Sequence, residues 1–255
     1  MKRERLDKLL VDRGAVGSRE RAQRLVLAGA VRVGDRVVDK PGTLVALDAP
    51  IEVTGDDIPY VSRGGLKLAG ALDAFGIPVA GCVVLDVGAS TGGFTDCVLQ
   101  RGARAVIAVD VGYGQFAWSL RQDPRVTLLE RTNIRQLDRA ALPAIPDLAV
   151  IDVSFISLCL VLPRVLDALA PGGGIVALVK PQFEVGKGQV GSGGVVRDPA
   201  LHAAAVANVR ACAVGLGLDC VGECESPLRG PKGNREFFLA LRGPTRASGQ
   251  STVTN

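Results

Sequence analysis

Residues Val83–Phe94 read VVLDVGASTGGF. Val83, Val84, Leu85 and Val87 form a short run of strand-forming apolar residues, and Gly88 closes it. An unbroken apolar run of this length, bounded by glycine, is the pattern of a parallel strand buried on both faces. Ser90 and Thr91 offer N-caps to a helix that the pattern predicts from Phe94 onward. Glycines at 88, 92 and 93 let the main chain come close to a ligand. The crevice beyond the carboxyl end of such a strand is where open α/β sheets bind nucleotides. The spacing Gly88-x-x-x-Gly92 is not the G-x-G-x-x-G dinucleotide fingerprint, and no Gly-Lys-Ser/Thr follows to make a phosphate loop. Asp86 inside the run points to a ligand that donates hydrogen bonds, such as an amino group.

Beyond this stretch the pattern alternates. Strands are predicted at 105–109, 126–129, 148–153 and 174–179, with helices at 94–101, 115–121, 134–142, 158–169 and 199–216. Repeated βα units build a parallel sheet with helices on both faces. Strands at 218–223 and 235–241 have no helix between them, so the last hairpin adds an antiparallel strand. Upstream, residues 62–75 read as a helix with Leu66, Ala69, Leu72 and Phe75 on one side. Lys67 lies near its positive end, a conflict with the helix dipole of the kind expected at a working site. Residues 56–60 read as a polar linker, and the chain after Arg242 reads as a disordered tail.

The N-terminal part has a different character. Leu6, Leu9 and Leu10 have helical spacing that Gly14 ends, and Ser18 caps a second helix ending near Gly29. Val31, Val33, Val37 and Val38 around Gly34-Asp35 predict a hairpin, with a further strand at 51–53. Residues 1–42 hold 11 Lys and Arg against 6 Asp and Glu, whereas the other 213 residues are balanced at 19 against 20. A small basic module on a neutral domain fits a polyanion partner. Arg19, Arg21 and Arg24 can present guanidinium groups together to phosphates.

Composition narrows the rest. Apolar residues make up 47% of the chain and aromatics 4%, so the core is built of Val, Leu and Ala. No apolar run is long enough to span a bilayer, and the charged start MKRERLDKLLVDRG does not read as a secretory signal. Six cysteines at 82, 97, 159, 212, 220 and 224 form no C-x-x-C pair. They read as reduced core thiols of a cytoplasmic protein, with no metal site expected.

Several resemblances follow from these residues. The segment RLDKLLVDRG…SRERAQRLVLAGAVRVGDRVVDKPG, covering most of residues 3–45, resembles the S-four RNA-binding domain, through Arg5, Asp7, Ser18, Arg19, Ala22, Gly29, Val31, Val33 and Lys40-Pro41. VVLDVGASTGGF resembles the first motif of S-adenosylmethionine-dependent methyltransferases. The order Lys67, Asp152, Lys180, Glu236 is similar to the Lys-Asp-Lys-Glu tetrad of FtsJ-like RNA 2′-O-methyltransferases. An S-four domain joined to that domain is the plan of the TlyA family, once called hemolysins. The segments YVSRGGLKL, DVGYGQ, ERTNIR, DVSFISL and LVKPQFEVGKG look like that family too.

The resemblance implies an α/β fold: a Rossmann-like seven-stranded methyltransferase sheet (residues 60–242), a small α+β S-four-type domain (1–59) and a tail (243–255). It implies S-adenosylmethionine as cofactor and ribosomal RNA, free or in ribosomal subunits, as partner. The reaction implied is 2′-O-methylation of cytidine, in 23S and in one subgroup also 16S RNA. DNA, membranes and metals are not expected. Lys67, Asp152, Lys180 and Glu236 are the catalytic candidates. Asp86, Gly88, Ser90, Thr91, Gly92, Asp110, Val111 and Asn133 are the cofactor candidates, Asp110 for ribose hydroxyls and Asn133 for the adenine edge. Arg5, Lys8, Arg19, Arg21, Arg24, Lys40 and Lys187 are the RNA candidates, Lys187 from a Gly-rich stretch (183–195) read as a mobile lid. Two other classes compete: an RNA-binding assembly factor with an inactive methyltransferase fold, and a pore-forming hemolysin. Nothing amphipathic and basic enough supports the second.

Overall fold

In the computed structural model, which describes residues 2–27, 29–53 and 58–245, the chain begins with strand β1 (Arg3–Arg5) and helices α1 (Leu6–Asp12) and α2 (Arg19–Leu27). Leu6, Leu9 and Leu10 pack on Ala22, Leu25 and Val26, and Val16, Val31 and Val45 close this small core. The Ser18 hydroxyl accepts the Arg21 amide at 3.2 Å, as the cap reading requires. Strand β2 (Val31–Val33) pairs antiparallel with β3 (Arg36–Val37) and with β5 (Ile51–Val53). Strand β4 (Leu44–Ala46) pairs with β1. These two were not expected, because three residues such as Arg-Glu-Arg carry no apolar period.

The larger unit starts with helix α3 (Arg63–Phe75) and continues through β6 (Val83–Val87), α4 (Gly93–Gln100), β7 (Ala105–Val109), α5 (Trp118–Arg121), β8 (Val126–Leu129) and β9 (Leu148–Ile151). Then come α6 (Leu162–Ala168), β10 (Gly174–Val179), α7 (Pro181–Glu184), α8 (Pro199–Gly215), β11 (Asp219–Glu225) and β12 (Phe237–Arg242). The sheet order is β11-β12-β10-β9-β6-β7-β8. Strand β12 runs antiparallel to both neighbours, and β6 to β10 are mutually parallel. All five residues of β6 are buried. Val83, Leu85 and Val87 join the core under α6 and α8, while Val84 joins the core under α3 and α4. The chain leaves β6 for β7 on one side and meets β9 on the other. This is a topological switch point, and the crevice opens at the carboxyl ends of β6 and β9.

Several boundaries differ from the sequence reading. Strand β9 ends at Ile151 and β12 begins at Phe237, so Asp152 and Glu236 stand just off their strands. The helix expected at 115–121 shrinks to α5, four residues long. The one expected at 134–142 is two 3₁₀ turns, each restarted by a side-chain cap, from Asn133 to Arg135 and from Asp138 to Ala140. Only Ile134 of that segment's turns is buried, so no apolar stripe exists to hold a helix. Tyr60 does not behave as linker. Its ring packs over Gly65, where a Cβ would lie 2.3 Å from it. The tail from 246 and linker residues 56 and 57 lie outside the described residues.

The cysteine reading needs correction. Cys159 and Cys212 form a disulfide, Cα to Cα 5.6 Å apart, between the turn after β9 and α8. Only Cys97 is a buried thiol, and Cys82, Cys220 and Cys224 are partly exposed. A 53-residue separation gives no spacing signal, and only the packing of α8 brings the two together. Among the described residues, no helix is long and apolar enough to cross a membrane.

Candidate active site

The loop after β6 is tight for a visible reason. Gly88 has φ +86°, and a Cβ there would lie 2.5 Å from the Asp152 carbonyl oxygen. Any side chain would push the end of β9 away from the end of β6. Gly92 has φ +95°, and a Cβ would strike Leu120 at 2.5 Å. Ser90 adopts φ 50° in the same turn. Asp110, at the end of β7, accepts the Ser90 amide at 2.7 Å and the Gly112 amide at 2.6 Å. It thereby ties the loop after β6 to the loop after β7. Val111 beside it is exposed. The Asn133 side-chain oxygen caps the 3₁₀ turn by accepting the Arg135 amide at 3.1 Å, so only its NH₂ group is left for a ligand.

Asp86 lies fully buried beneath this loop. One oxygen accepts the Thr95 hydroxyl at 2.6 Å, and the other has no partner. Burial pushes its carboxyl up to about 7, against the Thr95 hydrogen bond and helped by Asp152 and Asp110. An orphaned buried carboxylate oxygen is a costly feature that a ligand's N–H group would relieve. That oxygen and the close main-chain loop fit a cofactor carrying an amino group.

The four catalytic candidates come together as two ion pairs. Lys67 Nζ lies 2.6 Å from Glu236 Oε2, and both side chains are almost wholly buried. Lys180 Nζ lies 2.5 Å from Asp152 Oδ1 and donates to the Ser154 hydroxyl at 2.8 Å. The second pair is the more open, with the Asp152 side chain 24% exposed. Gly230 is pressed against Glu236, where a Cβ would lie 2.3 Å from Oε1. All four line one cavity of about 680 Å³, together with Gly88, Ser90 and Thr91.

Sequence reading missed two residues here. Ser154 had no signal beyond its nearness to Asp152. Phe155 adopts φ 64° and is 90% exposed, with its ring 4.9 Å from that of Phe183. A bulky residue held in the left-handed region and turned to solvent is a functional hint. The Gly-rich stretch after Lys180 is partly tied down. The buried Asn234 donates to the Gly194 carbonyl at 2.9 Å and accepts the Val196 amide at 3.0 Å. The side chain of Lys187 lies outside the described residues.

The basic candidates divide differently from the sequence reading. Asp7 is fully buried. It accepts Arg5 through two bonds (3.0 and 2.9 Å), Arg19 at 3.1 Å and Gln23 at 3.0 Å. Burial alone would raise its carboxyl. The bonds from Arg5, Gln23 and Arg19 outweigh that and hold it well below the usual carboxylate range. So Arg19 gathers with Arg5 on one carboxylate rather than with Arg21 and Arg24. Lys8 pairs with Glu4 at 2.7 Å, Arg21 and Lys40 are exposed, and Arg24 is half-buried.

One antiparallel strand, β12, slotted between β10 and β11, is what separates this sheet from a dinucleotide-binding one. The fold is that of a Rossmann-like methyltransferase with a small RNA-binding-type unit in front. The chain belongs to the FtsJ-like methyltransferase family, whose model matches residues 60–243, and to the TlyA group within it, in which an S4 domain, matched here over residues 4–51, precedes it. It is 54% identical to the "16S/23S rRNA (cytidine-2'-O)-methyltransferase TlyA" of Mycobacterium tuberculosis, over 96% of this chain and 91% of that protein. It is 49% identical to the "Putative rRNA methyltransferase YqxC" of Bacillus subtilis, over 95% and 87%. A solved structure titled "Putative hemolysin from Streptococcus thermophilus" superposes with a TM-score of 0.75 at 43% identity, over 98% of this chain and 93% of that one.

Proposed function

We propose that this enzyme methylates the ribose 2′-hydroxyl of a cytidine in ribosomal RNA, with S-adenosylmethionine as donor. The observation that carries the reading is Lys180. Its nitrogen is held by Asp152 and Ser154 at the open end of a cavity whose floor is a second, buried Lys–Glu pair. The cofactor supplies an electrophilic methyl group. Asp86, Gly88, Ser90, Thr91 and Gly92 would hold its methionine end, and Asp110, Val111 and Asn133 its adenosine end. Lys180 gives one ammonium proton to Asp152 or to water and then takes the proton of the 2′-hydroxyl, and Asp152 and Ser154 fix the direction of Nζ. Lys67 and Glu236 hold the wall against which the ribose is oriented. Much of the rate comes from holding the oxygen in line with the methyl carbon. Phe155 offers an exposed ring on which the base of the target nucleotide can stack. DNA lacks the reacting hydroxyl and is excluded as substrate at that site.

The choice of ribosomal RNA rests on the relatives' names and the S4 domain; the choice of a 2′-oxygen rests on the Lys-Asp-Lys-Glu set. An assembly factor with an inactive fold would have no use for Lys180 held in this way. The deciding experiment maps 2′-O-methylation in 16S and 23S RNA from cells with and without the protein. Loss of a cytidine modification in its absence is expected. An unchanged map rejects the reading.

A further inference from the structure

The cavity over the two ion pairs continues past them, between the catalytic sheet and the S4 unit, where Leu27, Gly29, Val37 and Asp39 line one wall. The facing rim is basic. Arg63 stands in the first turn of α3, and Arg229 and Lys232 stand on the loop between β11 and β12. Arg63 Nη2 donates to the Arg229 carbonyl at 3.5 Å, and its Nη1 reaches within 3.5 Å of a Cβ built on Gly29 of the S4 unit. Lys232 Nζ lies against Gly194. None of the three makes an ion pair among the described residues, although Asp39 lines the other wall. Some other arginines of the catalytic unit are paired, Arg101 with Asp73, Arg121 with Glu130, Arg125 with Asp123 and Arg235 with Glu225. Asp39 lines the same cavity and Arg229 acts on Glu225 through space, yet none of the three cations is held by a carboxylate in a close ion pair, so they repel one another and an anion bound among them relieves that repulsion.

We infer that Arg63, Arg229 and Lys232 form a clamp for the RNA phosphates that flank the target nucleotide, on the path from the S4 domain to Lys180. The inference deepens the proposed function and rests on it for the identity of the target. The clamp is also coupled to the site. Gly230, between Arg229 and Lys232, abuts Glu236 so closely that no Cβ fits, and Asn234 in the same loop is buried. A phosphate held by this loop therefore sets the ribose relative to the catalytic pairs.

The test uses the full chain with Arg63, Arg229 and Lys232 replaced by Ala, and a charge-keeping partner, R63K/R229K/K232R. Binding of unmodified large-subunit ribosomal RNA is measured over a salt series without cofactor, S-adenosylmethionine affinity by calorimetry, and methyl transfer as KM and kcat for RNA. The alanine variant is expected to lose about tenfold or more in RNA affinity. Its salt slope should fall by about two, since each phosphate contact contributes roughly 0.7–0.9. Cofactor affinity should stay within about twofold, and the charge-keeping variant should bind RNA nearly as wild type. Where the triple variant fails to fold, R229A/K232A, confined to exposed positions, carries the same test with about two thirds of the effect on the slope. Unchanged RNA affinity and slope overturn the clamp. So does a loss confined to cofactor affinity, which would assign the rim to the cofactor. If the wild type binds RNA with the expected slopes yet transfers no methyl to it, the catalytic reading fails and the clamp stands.

Discussion

Asp7 and Glu236 are both buried carboxylates that hold cations, but they do so under different conditions. Asp7 receives two arginines and a glutamine, and both arginine side chains remain about half exposed. The pairing leaves a surplus positive charge facing water. Glu236 receives one lysine, and that pair is neutral and dry. Lys180 and Asp152 are intermediate: matched in charge, with Ser154 as a third partner, and open to the cavity. One device thus serves two ends. On the S4 domain a desolvated carboxylate fixes outward-facing charge. In the cavity a partly exposed carboxylate fixes a single nitrogen, that of Lys180, which the proposed mechanism uses to take up the hydroxyl proton.

The largest effect that follows is at Lys180. Lys180→Ala should lower methyl transfer by about 10²–10⁴-fold, the usual contribution of a positioned general base, with RNA and S-adenosylmethionine binding nearly intact. A residual rate within about tenfold of wild type would correspond to only about 1.4 kcal/mol of barrier and would remove the lysine from its role.

The next effect is on stability and tests the contrast directly. Glu236→Ala leaves Lys67 buried without a partner, which should cost about 3–5 kcal/mol. Asp7→Ala leaves arginines that can turn to water, so its cost should be smaller, in the range of about 1–3 kcal/mol for lost charged hydrogen bonds. Urea denaturation of both variants checks the order. Equal costs would mean that the two carboxylates are held alike.

The pH dependence separates Asp7 from Asp86 by sign. The carboxyl of Asp7 is lowered in the folded protein, so its contribution is present above the unfolded value near 3.8 and is lost as pH falls below it. The carboxyl of Asp86 is raised to about 7. The folded state then binds the extra proton between about pH 4 and 7, and stability declines as pH rises through that window. Asp86→Asn removes the titration. Without cofactor, the variant should gain on wild type from pH 5 to pH 8, by no more than about 3 kcal/mol. Thermal unfolding at the two pH values measures it, and a constant difference between them would show that Asp86 does not titrate there.

How much of this was readable beforehand depends on what kind of signal each feature leaves. Buried parallel strands leave unbroken apolar runs, and β7, β8 and β10 stand where those runs predicted. Gly88 and Gly92 were legible because close approach admits only glycine. The Lys67–Glu236 pair joins residues 169 apart, so chain order named the members but spacing could not pair them. The Cys159–Cys212 bond, Ser154 beside Lys180, and the arginine hub on Asp7 depend on how helices and loops pack, which no periodicity records. Phe155 reads as an ordinary apolar residue until its backbone angle and exposure are seen. Short elements failed for a related reason. The segment 134–142 has too few apolar positions to choose between a helix and capped turns.

The smallest effect concerns Arg19, and it decides what the Asp7 hub is for. Arg19 commits Nε to Asp7 and keeps a side chain 55% exposed, so its outer nitrogens remain near solvent in a fixed direction. A pre-set guanidinium loses less freedom on meeting a phosphate than a loose one does. Arg19→Ala should therefore weaken binding of ribosomal RNA only several-fold. It should lower the salt slope by roughly 0.7–0.9, one contact's share by a calibration made on DNA and single strands. Because Gln23 and Arg5 still hold Asp7, the folded domain should survive the change. The measurement is RNA binding over a salt series for wild type and variant, with cofactor affinity as the control. Parallel lines of equal affinity would make the hub a device for folding the S4 domain. The docking charge would then have to come from Arg21, Arg24 and Lys40, and the contrast between an outward-facing and an inward-facing carboxylate would lose its functional half.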